Sequence, residues 1–414
     1  MKKLSEERTK KKTERIKAAL HLQDHDRVPL EIAFGYFPAK YNGIKCKAAY
    51  YDCDTWLKAC VKTIMDYDKV DLPSTQPYFP GEVLEILDPQ SLRWPGHNSP
   101  EDHGHQYVEG EFMKADEYPD LLCDPTDFSL RCYLPRSISA MKGFENFPSF
   151  SGHSYGYNSG VLLAEAFADP EFAASIEKLQ KAGKKMMELK PRIDKFNREI
   201  AELGFPPFLD KMGIAPFDAI SDHLRGMQGS MLDMYRQPDN LLEGCDAILK
   251  GMLDKMPPPD PDSVNRVMIP LHRGSAGFMS IKQFEKFYWP GLKGYIIGLI
   301  DRGYTPLVFF EGEYTDRVEY LLELPKGKVF THMDMSDIFR VAEVLSGHLC
   351  FSGNLPCSLL KTGTVDDVKE ATKKMLKACI KNGGFIMSTR SPVDDAKPDT
   401  LKALIDTTVE YGKY

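Results

Sequence analysis

Five apolar runs in the C-terminal part of the chain each end in side chains that can do chemistry. Val267–Leu271 runs into His272-Arg273-Gly274-Ser275, and Leu307–Phe310 into Glu311-Gly312-Glu313. Val329–Phe330 runs into Thr331-His332-Met333-Asp334, Leu349–Ser352 into Gly353-Asn354, and Phe385–Met387 into Ser388-Thr389-Arg390-Ser391. Carboxylate and imidazole groups at neighbouring strand ends can share an ion or move a proton, and small residues beside them leave room for a substrate. Glu311, His332 and Asp334 are the candidate catalytic set and also a candidate metal set. The competing reading is structural: Glu311 caps the helix after it, Asp334 or Ser336 caps the helix near Asp337, and Arg273 and Arg390 pair with acids. His272, Asn354 and Arg390 are candidate substrate-binding residues. Asp222, in Asp222-His223-x-Arg225, and Tyr155, in the Gly- and Tyr-rich stretch 152–161, are further candidates.

The elements that must carry these groups alternate. Strands at Val267–Leu271, Leu307–Phe310, Val329–Phe330, Leu349–Ser352 and Phe385–Ser388 are separated by helices at Ile281–Arg302, Asp316–Leu324, Asp337–Leu345 and Val365–Asn382. A last helix spans Lys397–Tyr411. Alternation of this kind implies right-handed crossovers and a parallel sheet, with chemistry at the carboxyl ends of its strands. A closed (β/α)8 barrel needs three more strands: Leu30–Phe34 is one, Lys69–Leu72 another, and the third must come from the weakly patterned middle. Upstream, a polar helix covers Glu6–Leu22, and Asp54 caps a helix running to about Tyr67. The segment from Ser74 to Ser151 reads as irregular connections with one or two hairpins, and Gly152–Val161 as a loop. Helices are expected at Glu171–Leu189 and Arg192–Leu203, broken by Pro191, then at Pro216–Arg225 and Asn240–Lys255. The expected class is therefore an α/β single-domain TIM barrel over 1–414. It has an N-terminal helical extension over 1–27, insertions in its first half and a largely helical region over 170–262.

Composition narrows the function. A net charge of −7 and a pI near 5.9 argue against a nucleic-acid binder, and no apolar run approaches the roughly 20 residues that span a bilayer. The nine cysteines are scattered without a C-x-x-C pair, which fits free thiols in a reducing cytoplasm. No G-x-G-x-x-G follows a strand and no P-loop sequence is present.

Specific residues resemble a known family. Glu14-Arg15-x-x-Ala18-x-Leu20 followed by Asp26-Arg27-Val28-Pro29 is similar to the opening of the uroporphyrinogen decarboxylase superfamily, which also contains cobalamin-dependent methyltransferases. Tyr288-Trp289-Pro290, Gly353-Asn354-Leu355-Pro356 and Gly384-Phe385-Ile386-Met387 resemble its C-terminal half. The resemblance covers most of the chain and implies one (β/α)8 barrel with its pocket at the strand carboxyl ends. Decarboxylases of the family carry an arginine-rich R-Q-A-G-R segment after the first strand. Ala33-Phe34-Gly35-Tyr36-Phe37 has no arginine there, so a porphyrinogen would lack its cationic partners. Thiol-methylating members hold zinc through His-x-Cys and a later Cys, where this chain has His332-x-Asp334 and Ser391. O-demethylating members use two glutamates and a histidine; Glu311 and His332 have that spacing, while the first glutamate falls on Ile296 and Asp334 is its substitute.

The resemblance thus implies a methyltransferase of the O-demethylase-like branch. It would move a methyl group from a small methylated compound, a methoxylated aromatic among the options, to cobalamin carried by a separate corrinoid protein. Zinc held by Glu311, His332 and Asp334 would assist. The partners implied are the methyl donor and the corrinoid protein, with no nucleic acid and no membrane; a homodimer is allowed for. The alternatives are a decarboxylase-like lyase and a non-catalytic metabolite- or corrinoid-binding protein of the same fold.

Overall fold

The computed structural model of the chain describes residues 2–149, 156–261 and 263–414. Its strands are β1 (Glu31–Gly35), β2 (Leu72–Thr75), β3 (Leu92–Pro95), β4 (Asn98–Ser99), β5 (Gln106–Tyr107), β6 (Lys211–Met212), β7 (Arg266–Leu271), β8 (Thr305–Phe310), β9 (Phe330–Met333), β10 (Cys350–Leu355) and β11 (Phe385–Thr389). Strands β6 to β11 form a six-stranded parallel sheet in chain order. β1 and β2 pair in parallel, and a parallel bridge between Leu30 and Met387 joins them to β11. Eight parallel strands therefore follow one another in the order β2-β1-β11-β10-β9-β8-β7-β6. Among the described residues no backbone pairing joins β2 to β6, so the ring expected from the sequence has one step without ladder hydrogen bonds. β3, β4 and β5 form a small separate sheet in the excursion between β2 and β6.

Alternation along the strands sorts the side chains. Ile32 and Phe34, Val267, Ile269 and Leu271, and Val308 and Phe310 pack into the large core against the helices. The residues between them face the other way: Leu72, Leu307, Phe330, Cys350 and Ile386 form a second cluster, with Met268 beside it. Ile16 and Ala19 of the N-terminal helix, Lys2–Leu20, belong to that same cluster and plug the end of the sheet away from the strand carboxyl ends. Below the plug lies an ionic lock. Asp71 is fully buried and accepts from Arg15, from Arg27 Nη1 at 2.7 Å and from the Leu30 amide at 2.9 Å. Arg15 also grips Asp26, with Nε 2.7 Å from Oδ1. The opening residues that resemble the decarboxylase superfamily are thus largely a structural clasp.

Several helices differ from their sequence reading, each for a physical reason. Pro191 does not break the helix; one helix spans Pro170–Ala201. Its buried positions Ser175, Ala182, Leu189 and Phe196 repeat every seven residues straight through the proline, and Pro191 itself faces water. The cap of the Cys53–Asp66 helix is Asp52, not Asp54, and its side chain accepts from the Thr55 amide. The stretch after β8 is a 3-10 helix, Thr315–Glu323, and the long helix after β7 carries a π-turn at Phe284–Tyr288. The segment between β2 and β6 holds more helix than expected, including Gly81–Leu87, Tyr118–Cys123 and Ser139–Asn146. Of the stretch read as a loop at 152–161, Tyr157–Val161 begins a helix running to Ala168. No helix among the described residues is long and apolar enough to cross a membrane. All nine cysteines are free.

Candidate active site

The inward-facing positions continue upward in twos. Met268 is followed by Pro270 and His272, Leu307 by Phe309 and Glu311, Phe330 by His332 and Asp334, Cys350 by Ser352 and Asn354, and Ile386 by Ser388 and Arg390. Each step of two residues rises about 7 Å. His272, Glu311, Asp334, Asn354 and Arg390 therefore crown the sheet, while His332 sits one tier lower.

That tier corrects the expected metal set. His332 is buried, and its Nε2 donates to the Thr389 carbonyl at 3.0 Å. Its Nδ1 lies 3.2 Å from both carboxylate oxygens of Glu31 and 3.0 Å from Ser352 Oγ. With one nitrogen carrying a proton to a carbonyl and the other turned to Glu31 and Ser352, no lone pair is directed at Glu311. Among the described residues no three His, Cys, Asp or Glu side chains converge as an ion requires. The set Glu311, His332 and Asp334 does not fit zinc. Burial opposes the charged imidazole, but the Glu31 carboxylate outweighs it and raises the His332 pKa.

The crown is built around His272. The helix Pro216–His223 starts on a proline and carries Asp218 and Asp222 four residues apart, on one face. Asp218 is fully buried at the end of β7, where it accepts from the His272 and Arg273 amides at 2.9 and 3.1 Å and from Tyr288 Oη at 2.6 Å. Burial and the neighbouring Asp222 raise its pKa to about 6. Tyr288 comes from the π-turn and lies so close to Gly274 that a Cβ there would sit 2.4 Å from the ring. Asp222 hydrogen-bonds His272 Nδ1 and accepts from Arg273 Nε at 3.1 Å. Burial works against the His272 charge, yet Asp222, with Asp218 and Glu311 behind it, lifts its pKa to about 9. Burial opposes the Asp222 charge, but His272 and Arg273 hold its pKa below the ordinary value.

His272 Nε2 points across to β8, 3.8 Å from Glu311 Oε2. Burial raises the Glu311 pKa; His272 opposes this and Asp334 adds to it. Asp334 accepts from the Gly312 amide at 2.9 Å, in a turn where Gly312 has a φ of 91°. Burial raises the Asp334 pKa as well, against the pull of that amide and of Arg390. Asn354 donates to the carbonyls of Asp334 and Ser336, at 3.0 and 2.6 Å, so its amide holds the β9 loop. Arg273 is spent on Asp222, stands 3.8 Å from Glu109 and stacks over Phe278. Arg225, near Asp222 in sequence, serves the fold, with Nε 2.6 Å from Asp233.

The structure thus gathers Asp222, His272, Glu311 and Asp334 at the crown, with Arg390 near enough to act on Asp334. It places His332 below and Asn354 in support. Tyr155 lies outside the described residues. Sequence reasoning missed Glu31, Asp218 and Tyr288. Glu31 had a signal, a lone acid inside the apolar run Leu30–Phe34. Asp218 had only its four-residue spacing from Asp222.

Known proteins agree with this architecture. The family model described as uroporphyrinogen decarboxylase (URO-D) matches residues 211–411, from β6 to the last helix, in keeping with the superfamily resemblance read from the sequence. Among solved structures, a methyltransferase from Methanosarcina mazei superposes with a TM-score of 0.58 at 14% identity, covering 96% of this chain and 98% of its own. At that identity the likeness speaks for a shared fold. A B12-independent methionine synthase from Shewanella sp. W3-18-1, in complex with selenomethionine, covers 53% of this chain and 63% of its own, with a TM-score of 0.35 at 13% identity, too slight to carry weight. No curated protein sequence matches the chain.

Proposed function

We propose that the protein is a methyltransferase that takes a methyl group from the heteroatom of a small methylated compound and passes it to cobalamin on a separate corrinoid protein. The observation that carries the reading is His272 at the crown, with Nδ1 on Asp222 and Nε2 turned towards Glu311, 3.8 Å from its Oε2. Breaking a heteroatom–methyl bond leaves an electron pair on the heteroatom, and the barrier falls if a proton arrives there as the bond breaks. His272 Nε2–H supplies that proton, and Asp222 stabilises the imidazolium and fixes its orientation. Glu311, its pKa raised, takes a hydrogen bond from or gives one to the donor molecule beside His272. The corrinoid, when docked, supplies the reduced cobalt whose electron pair forms the new bond to carbon. In sum, one heteroatom–carbon bond and one imidazole N–H bond break, while a cobalt–carbon bond and a heteroatom–H bond form.

The charge balance of the crown favours this over porphyrinogen decarboxylation. Arg273 is neutralised by Asp222, and Glu311, Asp334 and Glu109 add negative charge, so a molecule with many carboxylates meets repulsion. Zinc on Glu311, His332 and Asp334 forms no part of the mechanism, because the His332 nitrogens are committed elsewhere. The test is anaerobic incubation with reduced cobalamin and a panel of methyl ethers, methylamines and methyl thioethers, following the methylcobalamin spectrum. At least one donor is expected to react, and His272→Gln is expected to lower its rate about a hundredfold or more. Failure of every donor beside a working control methyltransferase would end the proposal.

A further inference from the structure

Among the described residues, three cationic side chains stand at the crown: His272, Arg273 and Arg390. The first two are committed to Asp222. Arg390 is not. Its side chain makes no hydrogen bond or salt bridge with any described residue, and its Nε is sealed from water without a partner. Its terminal nitrogens are not sealed in that way, so the open end of the guanidinium fork is free. The backbone fixes where the fork starts: the Arg390 amide donates to the Leu355 carbonyl at 3.0 Å, at the top of β10 and β11. The terminal N–H groups are the ones a ligand can reach, and they offer parallel donors with no acceptor from the described residues.

We propose that Arg390 binds a carboxylate of the methyl donor, so that the substrate class is a small methylated compound bearing one acidic group. This rests on the crown being the donor's site. A guanidinium presents two parallel N–H groups that match a carboxylate, and a neutral amide in the same place cannot return the charge. Asp334 is the group that competes for Arg390. It forms no salt bridge with the arginine, and its Oδ2 is already held by the Gly312 amide. Among the described residues, one uncommitted cation at the strand ends sets the number of acidic groups accepted. One carboxylate is welcome at Arg390, while a second would face Glu311 and Asp222.

The experiment uses two matched pairs of probes: 4-methoxybenzoate against 4-methoxybenzamide, and methoxyacetate against methoxyacetamide. Binding is followed by calorimetry, and methyl transfer by the cobalamin spectrum. The carboxylate of at least one pair is expected to bind about ten- to a hundredfold tighter than its amide, the range for a hydrogen-bonded charge pair. Arg390→Met should abolish that preference, and Arg390→Lys should restore part of it, with thermal unfolding confirming that both variants fold. Equal binding of acid and amide, a preference that survives in Arg390→Met, or no binding by any probe overturns the proposal. Carboxylate-selective binding without methyl transfer from any donor keeps the Arg390 assignment and defeats the methyltransferase reading, so the two failures are separable.

Discussion

If His272 delivers a proton, its charge must come from Asp222, and Asp222→Asn isolates that contribution. The carboxylate hydrogen-bonds Nδ1 and lifts the imidazole pKa to about 9 against a burial effect that would lower it. An opposite charge in direct contact is worth about 1–3 pH units, so removing it should bring the value to about 7. The active form is the protonated one, so activity is lost as pH rises through the folded-state pKa. At pH 8 the wild-type imidazole is roughly nine-tenths protonated and the variant's roughly one-tenth. The expected loss of methyl transfer at that pH is therefore about tenfold, and at pH 6 it should nearly vanish, because both proteins are then charged. The assay is the pH profile of kcat/KM for the best methyl donor, between pH 5.5 and 9.5, in wild type and variant. An alkaline limb at the same pH in both, or a loss in the variant equal at every pH, would refute the role of Asp222 and with it the proton-donor reading.

Three further outcomes follow from packing and charge. Asp71→Asn leaves Arg15, Arg27 and Lys12 around a neutral group, and should cost about 3–5 kcal/mol in denaturant unfolding; a change below about 1 kcal/mol would show that the clasp is solvated. Glu31→Gln strands His332 in the interior and should destabilise by a similar amount, with a sign fixed by the raised His332 pKa. The stabilisation is complete below the ordinary histidine value of 6.5 and is lost as pH rises through the raised value, so wild type and variant should converge at alkaline pH. Pro191→Ala restores a backbone donor on a water-facing turn of an intact helix and should raise Tm; an unchanged or lower Tm would mean that the proline sits without strain.

The strand ends were the legible part of this chain. Apolar runs stopping at His272, Glu311, Asp334, Asn354 and Arg390 mark one face of one end of a parallel sheet, and alternation of two carries them there. The same alternation, followed one step further back, would have put His332 a tier below Glu311, and spacing along the sequence alone hides that height difference. Strand β6 was invisible because two residues carry no periodicity, and its place is set by pairing with Val267 and Met268. The pairing of Asp222 with His272 joins residues fifty positions apart, and only the packing of the Pro216–His223 helix against β7 makes it. Pro191 misled because its conformational rule is local, whereas the seven-residue stripe that holds the helix together is buried against the rest of the molecule.

Between β2 and β6 the sheet has an unlaced step, and it lies where the chain departs for residues 76–210 before rejoining. A long detour that enters through a laced step would have to break ladder bonds; among the described residues there are none here to break. The detour is held to the rest of the molecule by side chains instead: Met113, Tyr118, Leu121 and Phe128 pack in the same core as β7 and β8, and Glu109 reaches Arg273 at the crown, so changes in the detour reach the site through packing and charge and not through the sheet's ladder.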